Sequence, residues 1–216
     1  MLIALSIINS CKTELKVVSD IDGNKYKVIT IGNQKWLQQN LQTAHYNNGA
    51  PIAEIEDSAA WHNIYNTGSQ TAAWCYYNGN DSNNAIYGKL YNWYVVTDPR
   101  GVCPAGYHVP TDSDFIILSN YLGGDAVAGG HLKSTSGLWE QPNWLGYNSA
   151  GFTGLPGGYR GNFGGSHDLG TWGLFWSSTP AENNNAWFRD LYYQGPVFGR
   201  DSILKEFAHS VRCVGN

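Results

Sequence analysis

Glycine is the residue that most limits what this chain can fold into. The sequence has 26 glycines in 216 residues, and from Gly137 onward glycine, asparagine and tryptophan recur without helical or strand periodicity. A glycine inside a helix or strand costs backbone entropy and packs no side chain, so long regular elements are disfavoured. The sequence therefore predicts short strands joined by many loops.

The aromatic content indicates that these loops belong to a folded domain. Aromatic residues make up 14% of the chain and charged residues also 14%, a composition that is too aromatic and too uncharged for disorder. The net charge of −4 gives no basic face, so we expect no nucleic-acid partner. No linker, charge run or repeat divides the chain, which predicts one α+β domain over residues 21–216 after a signal and tether over residues 1–20.

The stretch PTDSDFIILSNYLGG is the clearest predicted helix. Thr111 is a good N-cap, Asp114 stands at the spacing of a capping box, and Gly123-Gly124 ends the helix. The apolar residues that share one face are Phe115, Leu118 and Leu122. Shorter helices are predicted near residues 57–65 and 125–134.

Strand signals lie near both ends of the chain. The stretch DIDGNKY predicts a turn of the Asp-Gly type, followed by a strand in KYKVITIG. Short strands are also predicted at FWSST, AWFRDLYY and HSVRCV. The stretch GKLYNWYVV is interpreted as a short buried helix.

The N-terminal stretch MLIALSIINSC is similar to a bacterial lipoprotein signal, which is cut before a cysteine that then carries lipid. This predicts lipidation at Cys11 and a place in the cell envelope, with the outer membrane as the expected membrane and either its surface or its periplasmic side left open. The apolar run is too short to span a bilayer. It also lacks the usual basic residues ahead of it, so a start upstream of Met1, or a buried strand or helix instead of a signal, stays open.

Three cysteines remain if Cys11 is lipidated. An exported context favours one disulfide, and we expect it between Cys103 and Cys213, with Cys75 as a buried small hydrophobic residue. Three separate buried thiols are the alternative. A bridge would close a loop of about 110 residues and stabilise the fold by roughly 4–5 kcal/mol in the chain-entropy model.

Several blocks in order resemble the Fibrobacter succinogenes major paralogous domain. They include DIDGNKYKVITIGNQKWLQQNL, GKLYNWY, GVCPAGYHVPTDSDF, GFTGLPGGYR, FWSST, AWFRDL and SVRCV, and they extend from about Ile21 to Val214. The resemblance implies a C-type lectin-like fold of the branch that includes formylglycine-generating enzymes. It implies short strands with two helices, N- and C-terminal strands that lie together, and proteins that are secreted or lipid-anchored.

Candidate metal and catalytic signals are weak. The stretch Gln141-Pro142-Asn143 is similar to a calcium-site tripeptide of sugar-binding lectins, but its companion triplet is missing, so a turn is the preferred interpretation. The six histidines show no paired metal-ligand spacing. No two cysteines lie close in sequence, as a formylglycine-generating active site would suggest. We therefore expect no metal, no cofactor and no catalytic residue, and an enzyme of that type is only a minor alternative.

The C-terminal strip AWFRDLYYQGPVFGRDSILKEFAHSVRCV mixes framework and irregular positions. The framework positions are Arg189, Leu191, Val197, Arg200 and Lys205. The irregular positions between them are Phe188, Asp190, Tyr192, Gln194, Phe198, Ile203 and Phe207. The residues that we predict to bind ligand from one exposed face are Phe188, Asp190, Tyr192, Phe198, Asp201, Ser202, Ile203 and Leu204. Since strand residues alternate between faces, Trp187, Leu191 and Val197 are predicted to point into the core.

The family resemblance also suggests how this strip arose. Proteins of this fold, some similar to this family, are targets of diversity-generating retroelements, which randomise asparagine codons near the 3′ end of a gene. Most residues of the strip outside the framework positions belong to the set that such codons produce, whereas Gln194 and Glu206 do not. Ordinary divergence on an exposed surface is the alternative.

These features together predict a lipid-anchored binding protein. Its partner is expected to be a protein, a glycan or a surface polymer, bound through exposed aromatic anchors such as Phe188, Tyr192 and Phe198. The alternative is a structural or accessory subunit of an envelope or pilus assembly. A broad apolar patch away from the C-terminal strip would favour that alternative.

Overall fold

The computed structural model describes residues 16–216, which form an α+β domain of many short strands and a few helices. The strands are β1 (Val17–Ser19), β2 (Lys25–Ile31), β3 (Gln34–Leu37), β4 (Ala53–Glu54), β5 (Ala73–Cys75), β6 (Leu90–Asn92), β7 (Tyr107–His108), β8 (Tyr159–Arg160), β9 (Ser166–His167), β10 (Trp172–Pro180), β11 (Asn185–Tyr192), β12 (Phe198–Leu204), β13 (Ala208–His209) and β14 (Val214–Gly215). The helices are α1 (Ser58–Thr67), α2 (Asn84–Tyr87), α3 (Trp93–Val96), α4 (Asp112–Tyr121) and α5 (Asp125–Leu132).

The first sheet brings the two ends of the domain together. Its strand order is β1-β2-β3-β14-β7, and Val214 of β14 pairs with Trp36 of β3. Gly23, at a φ of 81°, forms the predicted turn between β1 and β2, where a residue with a side chain would be strained. The strand β1 precedes the expected domain boundary at residue 21 and is already paired with β2.

A second sheet has six strands in the order β4-β5-β6-β13-β8-β9, of which only β4 and β5 run parallel. Helix α1 packs near it through Trp61, which is fully buried and donates from Nε1 to the carbonyl of Glu206 at 2.9 Å. The hairpin of β8 and β9 lies at one edge of this sheet. This edge and the third sheet together frame the candidate site.

The third sheet is the antiparallel group β10-β11-β12, which contains most of the C-terminal strip. One of its faces packs on helices α4 and α5 in a buried cluster that includes Phe115, Leu118, Phe175, Leu191 and Phe198. Burial of this many apolar side chains contributes strongly to the stability of the fold. The helices therefore cover one face and leave access only from the other.

Helix α4 has the predicted ends. The Thr111 side chain accepts a hydrogen bond from the backbone N–H of Asp114, and the Asp114 side chain accepts one from the backbone of Thr111. Phe115 and Leu118 are fully buried, as their shared face predicts. The helix near residues 57–65 and the helix near 125–134 are also present, as α1 and α5.

The resemblance implied two helices, but five α-helices and two short 3-10 helices, Tyr77–Gly79 and Asp81–Asn83, are present among the described residues. The segment GKLYNWYVV, interpreted as one helix, divides into β6 and the single turn α3. The division follows from pairing, because Tyr91 and Asn92 hydrogen-bond with β13 across the sheet. Such long-range pairing overrides local helix propensity.

The expected disulfide is present. Cys103 and Cys213 are bonded, with their Cα atoms 5.9 Å apart and 110 residues between them in sequence. Both are buried within the largest core cluster. The bridge ties the segment before β7 to the end of the chain.

Within residues 16–216, no helix combines the length and the apolar character that a bilayer crossing requires. The expected lipidation site, Cys11, lies outside the described residues.

Candidate ligand-binding face

The strand register divides the third sheet into two faces. Trp176 lies opposite Phe188, and Leu174 lies opposite Asp190. Phe188 in turn lies opposite Asp201, so these residues share one side of the sheet. We call the side that carries Phe188, Asp190 and Tyr192 the outer face, and the side that packs on α4 and α5 the inner face.

The prediction of one exposed face of eight residues is wrong, and β12 shows why. In a strand the four consecutive residues 201–204 alternate, so Asp201 and Ile203 lie on the outer face while Ser202 and Leu204 lie on the inner side. Only Asp201 of these four is exposed, and the other three are half-buried. The strip therefore contributes to two surfaces.

Phe198 and Phe188 are both buried, contrary to expectation. Phe198 starts β12 on the inner face, is 0% exposed, and packs edge-on against Phe115 at a ring distance of 5.7 Å. Phe188 points to the outer face but is only 8% exposed, because Trp176 and His209 pack around its ring. Phe198 is thus a core residue, whereas Phe188 forms the base of the outer face.

The three residues that were predicted to point into the core differ in their burial. Leu191 is fully buried, as expected. Val197 is 50% exposed because it lies in the connection before β12 and not in a paired strand. Trp187 is only half-buried, and the guanidinium of Arg200 lies 3.5 Å from the centre of its ring.

Two framework arginines on the inner face form hydrogen-bonded ion pairs with the helices. Arg200 donates through Nε and Nη2 to the carboxylate of Asp112 in α4, with Nη2 2.9 Å from Oδ2. Arg189 is 1% exposed and donates from Nη1 to Asp125 of α5 at 2.8 Å. Charge-assisted hydrogen bonds of this kind hold the sheet rigidly on the helices.

The outer face opens into a cavity of about 290 Å³, which we call the outer-face cavity. Four predicted strip residues line it: Phe188, Asp190, Asp201 and Ile203. Four others complete it: Tyr159 of β8, Asp168 after β9, and Trp172 and Leu174 of β10. The wall is therefore mainly aromatic and aliphatic, with three carboxylates.

The carboxyl group of Asp190 is partly desolvated, which changes its pKa. Burial raises the pKa of Asp190 to about 6, the nearby carboxylate of Asp201 adds to the increase, and Arg189 opposes it. Its carboxyl group lies directly over Gly199, where any Cβ would clash with both oxygens. The absence of a side chain at position 199 is thus what admits the carboxyl group.

Aromatic rings form the wall beside these acids. The rings of Trp172 and Tyr192, which lie opposite each other on β10 and β11, are 4.4 Å apart. The Tyr192 hydroxyl donates to Oε1 of Gln194 at 3.2 Å. Both rings are half-buried, so they present flat apolar surface to a ligand at low entropic cost.

His209 lies behind the base of the cavity. It is fully buried, and its ring stacks on Trp176 at 4.2 Å and meets Phe188 edge-on at 4.9 Å. Neither ring nitrogen has a hydrogen-bond partner among the described residues. Burial lowers the pKa of His209 to about 3, so the ring is neutral and acts as an aromatic support.

Sequence reasoning missed Tyr159, Asp168 and Trp172 as site residues. Tyr159 stands in GFTGLPGGYR, which served only for the family resemblance, and Trp172 lies just before FWSST, which was predicted only as a short strand. The one available signal was the aromatic character of these two residues. Their meeting with the strip depends on pairing between distant segments, which a single sequence does not specify.

Cys75 is a poor candidate nucleophile. Its side chain is fully buried, and burial raises the pKa of the thiol to about 12. A thiolate at neutral pH is what nucleophilic cysteine chemistry requires. Among residues 16–216, no group of three or more acidic, histidine or cysteine side chains is arranged to hold a metal ion.

The comparisons with known proteins identify the family. The chain matches the Fibrobacter succinogenes major domain over residues 29–215. That span is most of the chain, so the chain belongs to this family, as the sequence blocks predicted. No curated protein and no solved structure matches it.

Proposed function

We propose that this member of the Fibrobacter succinogenes major domain family is a binding protein that holds its ligand in the outer-face cavity. The supporting observation is the combination, in one open concavity, of flat aromatic walls with the partly desolvated carboxyl group of Asp190. Binding sites commonly combine a mainly apolar lining with a few polar groups that fix orientation. We further propose that the domain has a C-type lectin-like fold, in which this sheet carries the ligand.

The chemistry of the cavity favours a ligand that has an apolar body and a cationic group. An ionised Asp190 or Asp201 would accept hydrogen bonds from an ammonium or guanidinium group. The ring of Trp172 would contact the apolar body and attract the cation. A lysine or arginine side chain of a protein partner has this chemistry, which makes a protein the preferred ligand class over a neutral polymer.

The arrangement also supports an adaptable face on a fixed frame. Arg189 and Arg200 bind the helices from the inner face, while Asp190, Asp201 and Ile203 line the outer face. Substitutions among outer-face residues would therefore leave the frame intact. Diversification by a retroelement remains our proposal for their origin, and a near-copy of the gene's 3′ end beside a reverse-transcriptase gene would test it.

Selection of displayed peptides tests the binding function. We expect peptides selected on the wild-type protein to be enriched in lysine or arginine and to lose at least about tenfold in affinity on the double variant Asp190→Asn/Asp201→Asn. The control is Glu182→Gln, which removes an exposed acid outside the cavity. Peptides that bind the double variant as tightly as the wild type would contradict the proposal.

Lipid anchoring through Cys11 is part of the same proposal. It would place the binding domain at a membrane of the cell envelope, with the few residues between Cys11 and β1 as a short tether. Metabolic labelling with a lipid precursor should mark the wild-type protein and fail on Cys11→Ser. Label that persists in this variant would exclude Cys11 as the anchor.

An accessory role in an envelope assembly is the second candidate. It is favoured by exposed apolar side chains that do not line the outer-face cavity: Trp144 is 58%, Leu145 57% and Tyr147 47% exposed. A photo-crosslinking amino acid placed at position 144 or at position 201 separates the two candidates in cells. Adducts only from position 201 support ligand binding, and adducts only from position 144 support assembly.

A further inference from the structure

A second cavity lies on the other side of the β8–β9 hairpin. Tyr159 and Arg160 are adjacent in β8 and so point to opposite faces. Tyr159 borders the outer-face cavity, whereas Arg160 borders a separate cavity of about 220 Å³. We call it the Glu56–Arg160 cavity, and its polar side chains are Glu56, Ser58, Asn78, Arg160 and Ser166.

Arg160 is a buried arginine that keeps unused donors. It is 2% exposed. Its Nε donates to the carbonyl of Gly164 at 3.0 Å, its Nη1 to that of Ile55 at 2.7 Å, and its Nη2 to that of Glu56 at 2.7 Å. A guanidinium has five N–H groups, so one on each Nη remains beyond these three bonds, and the buried Cys75 thiol is a further neighbour of the group. The Trp61 ring covers one face of the guanidinium, because the ring centre lies 4.7 Å from the guanidinium carbon.

Glu56 supplies an unused acceptor in the same cavity. Its Oε1 accepts a hydrogen bond from the backbone N–H of Tyr76 at 2.6 Å, but Oε2 is buried and has no hydrogen-bond partner among the described residues. Oε2 lies 3.7 Å from Nη1 of Arg160, beyond hydrogen-bond distance. Gly79 also lines the cavity, and a Cβ at this position would make an ordinary van der Waals contact with Oε2, at 3.5 Å.

An exposed aromatic platform adjoins the cavity. Phe163, at the tip of the β8–β9 hairpin, is 70% exposed, and its ring centre lies 4.8 Å from that of His62 and 6.3 Å from that of Tyr65. Ser58, His62 and Tyr65 are spaced along one face of α1. The platform therefore continues from the cavity mouth, where Ser58 lies.

The hairpin holds the cavity and the platform as one unit. The carbonyl of Gly164 accepts hydrogen bonds from both Ser58 Oγ, at 2.9 Å, and Arg160 Nε. A side chain at position 164 would clash with the backbone of Ser58, and its φ of 84° also favours glycine. Phe163 is thus fixed relative to Glu56 and Arg160.

We propose that the Glu56–Arg160 cavity and the aromatic platform bind one residue of a neutral saccharide. A hydroxyl group both donates and accepts, so it can donate to Glu56 Oε2 and accept from Arg160 at once. The apolar C–H face of the sugar ring would lie on Phe163. This site shares no lining residue with the outer-face cavity, so it goes beyond the proposed function and stands independently of it.

Charge and size favour a neutral saccharide over other ligands. Glu56 and Arg160 carry opposite charges, so the cavity has no net charge to attract an ammonium or a carboxylate. Its volume of about 220 Å³ is below the range of roughly 300–1,000 Å³ that is typical for larger ligands. A single ring in the cavity, with its neighbours in solvent, fits this size.

Titration calorimetry with neutral oligosaccharides built from glucose, mannose, galactose or xylose tests the site. We expect one class to bind, and Glu56→Gln and Phe163→Ala each to weaken its binding about tenfold. The matched controls are Glu54→Gln, an exposed acid in β4, and Tyr121→Ala, a 65% exposed aromatic residue on α4. Both controls should bind within about twofold of the wild type.

Two checks keep the outcome unambiguous. The melting temperature of each variant shows whether it is folded, and Phe163 is exposed enough that its removal should leave folding intact. Binding of the same saccharide by Asp190→Asn/Asp201→Asn should equal that of the wild type. The proposal is overturned if no saccharide of the panel binds, if Phe163→Ala binds normally, or if Glu56→Gln instead abolishes binding of a lysine peptide.

Discussion

The variant Asp190→Asn should stabilise the folded protein at neutral pH. The pKa of Asp190 rises from an ordinary 3.8 to about 6, mainly through burial. Since one pKa unit corresponds to 1.36 kcal/mol, the ionised carboxylate lowers the free energy of unfolding by at most about 3 kcal/mol. The side chain borders an open cavity, so solvent screening should reduce this to about 1.5 kcal/mol.

The sign of the pH dependence follows from proton binding. Between pH 3.8 and about 6 the folded state holds the Asp190 proton more tightly than the unfolded state does, so stability falls as the pH rises through this window. Asparagine does not titrate. The stabilisation by Asp190→Asn should therefore be absent near pH 3.5, grow through the window and stay constant above it.

Thermal unfolding at pH 3.5, 5 and 8 measures the effect. For a domain of about 200 residues, 1.5 kcal/mol corresponds to an increase of roughly 3–6 °C in Tm at pH 8. The control Asp201→Asn removes an exposed acid of the same cavity and should change Tm much less. A variant Asp190→Asn that is less stable at pH 8, or equally shifted at all three pH values, would refute the reasoning.

This prediction separates stability from function at one residue. A carboxylate that opposes folding is expected where it serves binding, because functional sites often retain locally unfavourable groups. If Asp190→Asn raises Tm and also loses the selected peptides, the Asp190 carboxylate both opposes folding and contributes to ligand binding. If Tm rises and binding is unchanged, Asp190 is unfavourable for folding without serving this ligand.

The remaining predictions concern the core. Phe198→Ala should lower the free energy of unfolding by about 3–5 kcal/mol in denaturant titration, and a loss below about 1 kcal/mol would show that Phe198 is not core. Replacing Cys103 and Cys213 together by serine should cost roughly 4–5 kcal/mol in the same assay, and equal stability with and without the bridge would contradict this. His209 has a pKa of about 3 when folded against an ordinary 6.5, so its stability contribution is lost as the pH falls from 6.5 towards 3. His209→Phe should flatten that acid slope in thermal unfolding, and an unchanged slope would show that other groups cause it.

Local sequence signals determined several elements of this protein. The capping residues Thr111 and Asp114 act within one turn of chain, so their pattern predicted the start of α4 correctly. The Asp-Gly turn before β2 is equally local. The family blocks predicted membership over nearly the whole chain, and the expectation of an exported domain led to the Cys103–Cys213 bridge.

Only the tertiary structure decided which residues form the candidate site. Period-two alternation places neighbours on opposite faces, but it does not say which face is covered. The helices α4 and α5 cover the inner face, which buries Phe198 and leaves Asp190 at the open cavity. The hairpin β8–β9 then brings Tyr159 beside β11, because pairing across long sequence separations depends on the whole fold. Burial and register are properties of the packed molecule, and for that reason the sequence predicted the sheet but not which of its residues line the outer-face cavity.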